Sequence, residues 1–99
     1  MILEHAILKV KPGQADKFEA ALKQALPLIA ASAGFHGVEV RPAAEAPGTY
    51  LLLVTWDSIA AHREGFRHSE RYQKWKALLH HFYDPMPIVT YFQAPLPDK

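Results

Sequence analysis

Apolar residues follow a strand-like pattern in four stretches of the chain. Ile2–Val10 is rich in isoleucine, leucine and valine and is followed by a turn with a Pro-Gly pair, which predicts a first strand. Phe35–Arg41, Thr49–Trp56 and Ile88–Phe92 have the same character and predict three further strands. Thr49–Trp56, with the sequence TYLLLVTW, is the most strongly strand-like of the four.

The stretches between these strands have apolar residues at helical spacing instead. The first begins at Gln14, and its apolar face consists of Phe18, Leu22, Ala25, Leu26 and Ile29. Pro27 is expected to kink this helix or to end its regular part, because proline lacks a backbone donor and crowds the preceding turn. Gly34 is expected to form the C-terminal cap of the helix.

Two shorter helices are predicted between the third and fourth strands. Asp57 or Ser58 is placed to cap the first of them, and Ser69 is placed to cap the second. The inward face of the first helix consists of Ile59, His62 and Phe66. The inward face of the second consists of Tyr72, Trp75, Leu79 and Phe82.

The resulting order of elements, β-α-β-β-α-α-β, predicts an α+β fold of ferredoxin-like type. In this fold a four-stranded antiparallel sheet has its helices on one face. A chain of 99 residues has room for one hydrophobic core. We therefore predict a single domain over residues 1–99, with a polar C-terminal tail at residues 93–99.

The two central strands are apolar on both faces. Leu51 and Leu53 point away from the face that carries Leu52, and Leu3 and Ile7 do the same on the first strand. A sheet with one solvated face normally alternates apolar and polar residues. We expect a second copy of the chain to cover the face without helices, giving a homodimeric α/β barrel. A monomer whose strands are simply rich in aliphatic residues is the alternative.

The overall composition argues against several classes of function. A net charge of +1 without a stripe of basic residues argues against binding of nucleic acid. The absence of cysteine excludes disulfides, thiolate metal sites and a cysteine nucleophile, and it fits a reducing cytoplasm. No apolar run approaches the roughly 18 residues of a membrane span, and the N-terminus lacks the basic segment of a secretory signal. We therefore expect a cytoplasmic protein with no membrane partner.

Three segments of the chain together resemble the antibiotic biosynthesis monooxygenase family. The segments are MILEHAILKVKPGQADKFEAAL, GFHGVEV and TYLLLVTWDSIAAHREGFRHSERYQKWKALLHHFYDP. The resemblance extends from Met1 to Phe92, and it rests on the order and spacing of the segments. It implies a dimeric α/β barrel. It also implies one of the family's activities, which include cofactor-free oxygenation of anthrones or quinols and degradation of heme.

The same resemblance bears on heme. The heme-degrading branch has an asparagine, a tryptophan and a histidine ligand at positions that hold Ala6, Phe66 and Lys76 in this chain. None of these three residues suits heme chemistry, although another histidine remains available as a ligand. The resemblance therefore predicts a protein that requires no cofactor.

Cofactor-free oxygenation needs a base that deprotonates an electron-rich phenol in a dry pocket with aromatic walls. His62 is the first candidate for this base, because it shares a helical face with Phe66 and falls where many family members have a histidine. Tyr72 is the second candidate catalytic residue, since its hydroxyl can hold a substrate oxygen. His5 is a further candidate on the first strand, where it would face the partner subunit. For each histidine, a structural role with satisfied hydrogen bonds is the alternative.

The predicted pocket for an aromatic substrate has five aromatic candidates. They are Trp56, Phe66, Tyr72, Trp75 and Phe82. Plain packing in the core is the alternative for each of them. Arg63, Arg67 and Arg71 form a basic row that is either a solvated helix face or an entrance for anionic substrates.

No metal site is predicted. The chain has six histidines, but none has the spacing of a known metal-binding motif. His80 and His81 are adjacent, so a helix would point them about 100° apart and keep them from sharing one ion.

Together with the resemblance, these residues predict a cofactor-independent monooxygenase that oxidises a quinol-like or polycyclic phenolic compound with O2. His62 would act as the base, and Tyr72 and Trp75 would position the aromatic ring. The alternative is a non-catalytic small-ligand-binding or stress-associated dimer on the same fold, because a fold does not fix a function.

Overall fold

A computed structural model of the protein describes residues 1–97 and contains one antiparallel sheet. Its strands are β1 (Ile2–Lys9), β2 (Phe35–Pro42), β3 (Thr49–Trp56) and β4 (Thr90–Phe92). The strands lie in the order β2-β3-β1-β4, and β1 pairs with β3 along its full length. This arrangement confirms the predicted ferredoxin-like α+β class. The last two residues of the predicted tail, 98 and 99, lie outside the described residues.

The helical elements pack on one face of this sheet. They are α1 (Ala15–Ala30), a π-helical segment (Ala61–Phe66), α2 (Glu70–Leu79) and a short 3-10 turn (His80–Phe82). The two predicted short helices correspond to the π-helical segment and α2. None of the described helices is long and apolar enough to cross a membrane.

Hydroxyl side chains start both of the shorter helices, as the sequence predicts. Ser58 Oγ accepts a hydrogen bond from the backbone N–H of Ala61 at 3.1 Å. Ser69 Oγ accepts one from the backbone N–H of Tyr72 at 3.2 Å. These caps fix the two helices that carry the candidate site residues.

Two local predictions are wrong, and one of the two alternatives for Pro27 is excluded. The regular part of the helix does not end at Pro27 but continues to Ala30, because an exposed proline near a helix end removes only one backbone hydrogen bond. Gly34 is not the cap, since α1 ends earlier and Ala31 occupies that position. The last strand begins at Thr90 rather than Ile88, because β1 pairs with it only from Thr90 onward and the side chain of Ile88 is 84 % exposed.

The two faces of the sheet differ in burial. The inner face is covered by the helices and carries Ala6, Leu8, Tyr50, Leu52, Val54 and Trp56, all of them buried. The outer face carries Leu3, His5, Ile7, Leu51 and Leu53, which are half-buried or exposed in the single chain. The core therefore lies between the sheet and the helices, and a second apolar surface lies on the far side of the sheet.

Gly34 makes the turn between α1 and β2, and an alanine there is expected to destabilise the protein. Its φ of +81° is disfavoured for residues with a side chain. A Cβ at this position would also lie 2.8 Å from Cβ of Ala61, at the start of the π-helical segment. Gly34→Ala should therefore lower the free energy of unfolding in urea by about 2–4 kcal/mol, from backbone strain and overpacking together.

Gly13 provides the matched control for this substitution. Its φ is +77°, but a Cβ there would meet no atom within 4 Å. Gly13→Ala should show only the strain, about 1–2 kcal/mol. Equal losses at the two glycines would contradict a steric role for the contact with Ala61.

Candidate functional site

A cavity of about 100 Å³ lies between the inner face of the sheet and the helices. Its floor is formed by Glu4, Ala6, Leu8 and Leu52 from the two central strands. His62, Phe66, Arg67, Tyr72, Trp75 and His80 contribute from the helical side, and Tyr83, Met86, Pro87 and Val89 contribute from the segment that leads into β4. The cavity is therefore mainly apolar, with a carboxylate in its floor and an arginine and two histidines in its walls.

The polar centre of this cavity is a buried network around Glu4. Trp56 Nε1–H donates a hydrogen bond to Glu4 Oε1 at 2.9 Å. His62 Nε2 lies 3.4 Å from the same oxygen, and His62 Nδ1 lies 2.7 Å from the hydroxyl of Tyr91. Glu4 and His62 are only 3 % and 4 % exposed to solvent. Two hydrogen bonds and the 3.4 Å contact thus connect four residues from four different elements.

Burial favours the neutral form of both ionisable groups, so it shifts their pKa values in opposite directions. Burial, reinforced by the positive charges of Arg67 and Arg63, lowers the pKa of His62 to about 4. Burial also raises the pKa of Glu4, while the Trp56 hydrogen bond and the charge of Arg67 oppose this rise. His62 is therefore an uncharged imidazole at neutral pH, and Glu4 is a more basic carboxylate than an exposed one.

Aromatic rings line the cavity next to this network. The ring of Phe66 makes edge contacts with Tyr72 and Trp75, with centroid distances of 5.4 and 5.8 Å. Tyr72 in turn contacts the ring of His80 at 5.8 Å. These contacts provide the flat, apolar walls that an aromatic ligand requires.

The structure separates the predicted site residues into two groups. His62, Phe66, Tyr72 and Trp75 line the cavity together. Trp56 lies behind the cavity wall, stacked on His62 at 5.3 Å. Phe82 packs in the core against Phe18, and His5 lies on the outer face of the sheet near Phe92.

Sequence reasoning did not assign three polar residues to the site: Glu4, His80 and Tyr91. Glu4 carried a readable signal, because it lies two residues before Ala6 and therefore on the inward face of β1. A carboxylate on that face must be either paired or functional. Tyr91 had no such signal, since its approach to His62 depends on how β4 joins the edge of the sheet.

The three arginines of the basic row have different surroundings, so neither interpretation of the row applies to all of them. Arg63 lies over the ring of Tyr91, 5.3 Å from its centroid. Arg71 donates to the backbone carbonyl of Leu28 at 3.0 Å, and only Arg67 reaches the cavity. One arginine of the three is therefore available to an anionic group in the cavity.

Within residues 1–97, no three His, Cys, Asp or Glu side chains are grouped closely enough to hold a metal ion. The chemistry that the described residues offer is acid–base chemistry, built on Glu4 and His62.

Comparison with known proteins agrees with this architecture. The family model for antibiotic biosynthesis monooxygenases matches residues 1–78. YczJ of Bacillus subtilis, an uncharacterised protein, is 45 % identical over 93 residues, which is 94 % of this chain and 98 % of that protein. A crystal structure of a candidate antibiotic biosynthesis monooxygenase from Bordetella bronchiseptica has a TM-score of 0.90 at 37 % identity, covering 96 % of this chain and 97 % of that one.

A further structural relative has a described activity. SnoaB of Streptomyces nogalater, a cofactor-independent oxygenase, has a TM-score of 0.82, with 97 % of this chain and 96 % of that one covered. At 16 % identity, this likeness shows a common fold. The protein is thus an α+β domain with a buried acid–base cavity between its sheet and its helices. It belongs to the antibiotic biosynthesis monooxygenase family, as its sequence segments indicate.

Proposed function

We propose that the protein is a cofactor-independent monooxygenase that oxidises a small quinol-like phenol with O2. The observation that carries this proposal is the buried Glu4–His62 pair, which lines the same cavity as Phe66, Tyr72 and Trp75. The pair supplies a base, and the rings supply a surface on which an aromatic substrate stacks. Family membership supports oxygen chemistry in general, and the cavity supports the class of substrate.

The reaction balances without a cofactor when the substrate is a hydroquinone. Deprotonation of a phenolic O–H gives an electron-rich anion that reduces O2 directly. Oxidation of the hydroquinone to a quinone supplies two electrons, and conversion of one ring C–H to C–OH supplies two more. One oxygen atom of O2 enters the ring, and the other leaves as water.

The size of the cavity favours a substrate with one ring. At about 100 Å³, it is smaller than the roughly 150 Å³ of an engineered apolar cavity that binds benzene. A monocyclic quinol is therefore a better fit than the polycyclic phenols that the family resemblance also suggests. The same comparison speaks against a porphyrin, in agreement with the residues at Ala6, Phe66 and Lys76.

We also propose that the protein acts as a homodimer. The outer face of the sheet would be the interface, because its leucines and Ile7 form an apolar surface that the helices do not cover. This arrangement would place His5 at the interface and leave the cavity on the other side of each sheet.

The test of the proposed function is O2 uptake by the purified protein with hydroquinone and methylhydroquinone, compared with their autoxidation. Wild-type protein should increase uptake. His62→Ala should reduce the catalysed rate by about 10²–10⁴-fold, because the Glu4–His62 pair loses one of its two members. Glu19→Gln is the control, since Glu19 binds the Tyr50 hydroxyl far from the cavity and its loss should leave the rate unchanged.

The other outcomes of this experiment are equally informative. Uptake that persists in His62→Ala would keep the oxygenase and show that proton removal does not require His62. No uptake with any quinol, together with a rise in melting temperature on addition of the same quinols, would favour the non-catalytic binding protein.

A further inference from the structure

Of the two buried groups, Glu4 is the one placed to meet a substrate. We infer that Glu4 is the catalytic base and that His62 is a positioning residue, which holds the Glu4 carboxylate in place through its Nε2–H. This inference rests on the proposed function, because it assigns the acceptor of the proton that the oxidation must remove.

Both nitrogens of His62 already face protein groups. Nδ1 lies 2.7 Å from the Tyr91 hydroxyl, and Nε2 lies 3.4 Å from Glu4 Oε1. The imidazole is stacked against Trp56 on one side, so it has little freedom to rotate. Neither nitrogen is free to accept a proton from a phenol in the cavity without breaking one of these contacts.

Glu4, in contrast, retains an unused acceptor. Its Oε1 receives the Trp56 indole N–H and faces His62, so Oε2 is the carboxylate oxygen left to meet a donor in the cavity. Glu4 is also part of the cavity floor. A phenol stacked on the aromatic wall can therefore donate its O–H to Oε2 while the rest of the network stays intact.

The charges around the pair suit this division of roles. Burial, reinforced by the positive charges of Arg67 and Arg63, lowers the pKa of His62 and keeps it neutral. A carboxylate only accepts hydrogen bonds, so the tautomer that suits this pair donates from Nε2 to Glu4 and accepts the Tyr91 O–H at Nδ1. Arg67 and His80 are the other ionisable groups of the cavity wall besides its tyrosines. Arg67 is thus placed to stabilise the phenolate that forms when Glu4 takes the proton.

The proposed step is a single proton transfer. The phenolic O–H bond breaks, its proton moves to Glu4 Oε2, and the electron pair remains on the substrate oxygen. The resulting phenolate then reduces O2, as in the proposed reaction. Glu4 returns to the carboxylate when it releases the proton through the same network or to solvent.

A coloured phenol tests this step independently of O2. We would add 4-nitrophenol to the protein at a pH just below the pKa of 4-nitrophenol. This pKa lies in the neutral range, and at that pH the free phenol is mostly protonated. Wild-type protein should ionise the bound fraction, seen as the visible phenolate band, with a new carboxylic acid C=O band in the infrared difference spectrum. Glu4→Gln, which keeps the size and the acceptor for Trp56, should abolish both signals, and the exposed-site control Glu19→Gln should keep both.

Two variants of His62 separate a positioning residue from a base. A glutamine at this position can accept from Tyr91 and donate to Glu4, whereas alanine can do neither. His62→Gln should therefore ionise the probe about tenfold more than His62→Ala, the value of one hydrogen bond. If His62 were the base, both variants would be equally inactive and Glu4→Gln would still ionise the probe.

Each result decides the inference separately from the proposed function. Absence of probe ionisation by wild-type protein, or unchanged ionisation in Glu4→Gln, overturns the role of Glu4. Ionisation that depends on Glu4, without O2 uptake on any quinol, retains the base and refutes the oxygenase. Glu4→Gln should lose ionisation of the probe and should oxidise quinols about 10²–10⁴-fold more slowly. This result supports both the role of Glu4 as the base and the proposed oxygenase.

Discussion

Replacing Ile7 with glutamate is expected to separate the two subunits of the proposed homodimer. Ile7 lies on the outer face of β1, opposite Leu51 on β3, and is 39 % exposed in the single chain. An exposed position in a monomer tolerates a charge with a change in stability of about 0.5 kcal/mol or less. In a dimer, the same charge would be buried without a partner and would cost several kcal/mol.

The argument for this interface comes from the uncovered apolar surface. Leu3, Leu51 and Leu53 surround Ile7 on the outer face, and Phe92 at the sheet edge is 47 % exposed. A monomeric protein rarely leaves such a surface in water. The helices pack on the inner face and do not cover this surface, which residues 85–88 border beside His5 and Ile7.

Sedimentation equilibrium of wild-type protein and Ile7→Glu would measure this effect. Lys74→Glu, a charge reversal on the exposed side of α2, is the control and should leave the oligomeric state unchanged. A wild-type monomer, or an Ile7→Glu variant that remains fully dimeric, would exclude the outer face as the interface. The circular dichroism spectrum of Ile7→Glu should match that of the wild type, since the inner core is untouched.

Much of the fold could be predicted because its elements are local. The run of strand-favouring residues in Thr49–Trp56 and the helical spacing of Phe18 and Ile29 are each patterns within a single element. Ser58 and Ser69 mark helix starts through hydrogen bonds within a few residues. The errors at Gly34 and Ile88 occurred where the conformation depends on distant partners, the π-helical segment in one case and β1 in the other.

The site was less predictable, because it is assembled from residues far apart in the chain. His62 and Phe66 were predicted to face inward because one helical period connects them, and both are buried. Their partners Glu4 and Tyr91 come from strands at opposite ends of the chain, so no local pattern links them to His62. Phe82 and Trp56 were assigned to the pocket by their aromatic character alone, and that character does not distinguish a cavity wall from the core behind it.

Replacing Trp56 with alanine is expected to lower the free energy of unfolding by about 3–5 kcal/mol, the usual loss for a buried large aromatic residue. Trp56 is fully buried and its ring contacts Phe35, His62 and Phe66. Its indole N–H also provides the hydrogen bond to Glu4 Oε1. Packing and hydrogen bonding therefore both depend on this one side chain.

Trp56→Phe separates the two contributions, because phenylalanine retains a ring and removes the N–H. Without this donor, the buried carboxyl of Glu4 loses a partner, which should add about 1–3 kcal/mol to the loss from ring contraction. In a Glu4→Met background there is no carboxyl to leave unpaired, so Trp56→Phe should be less destabilising by that amount. Urea unfolding of the four proteins at neutral pH measures this coupling.

Trp75→Phe is the comparison for ring contraction, because Trp75 packs against the ring of Phe66 and is not the donor to Glu4. Equal effects of Trp56→Phe in the two backgrounds would show that the indole N–H does not stabilise Glu4.

If the coupling is present, Trp56→Phe should also raise the pKa of Glu4 further, since the Trp56 hydrogen bond holds it down. The rising limb of the pH profile for quinol oxidation should then move to higher pH, because Glu4 must be a carboxylate to accept the proton. Trp56 would thus set the pH at which the cavity works without contacting the substrate.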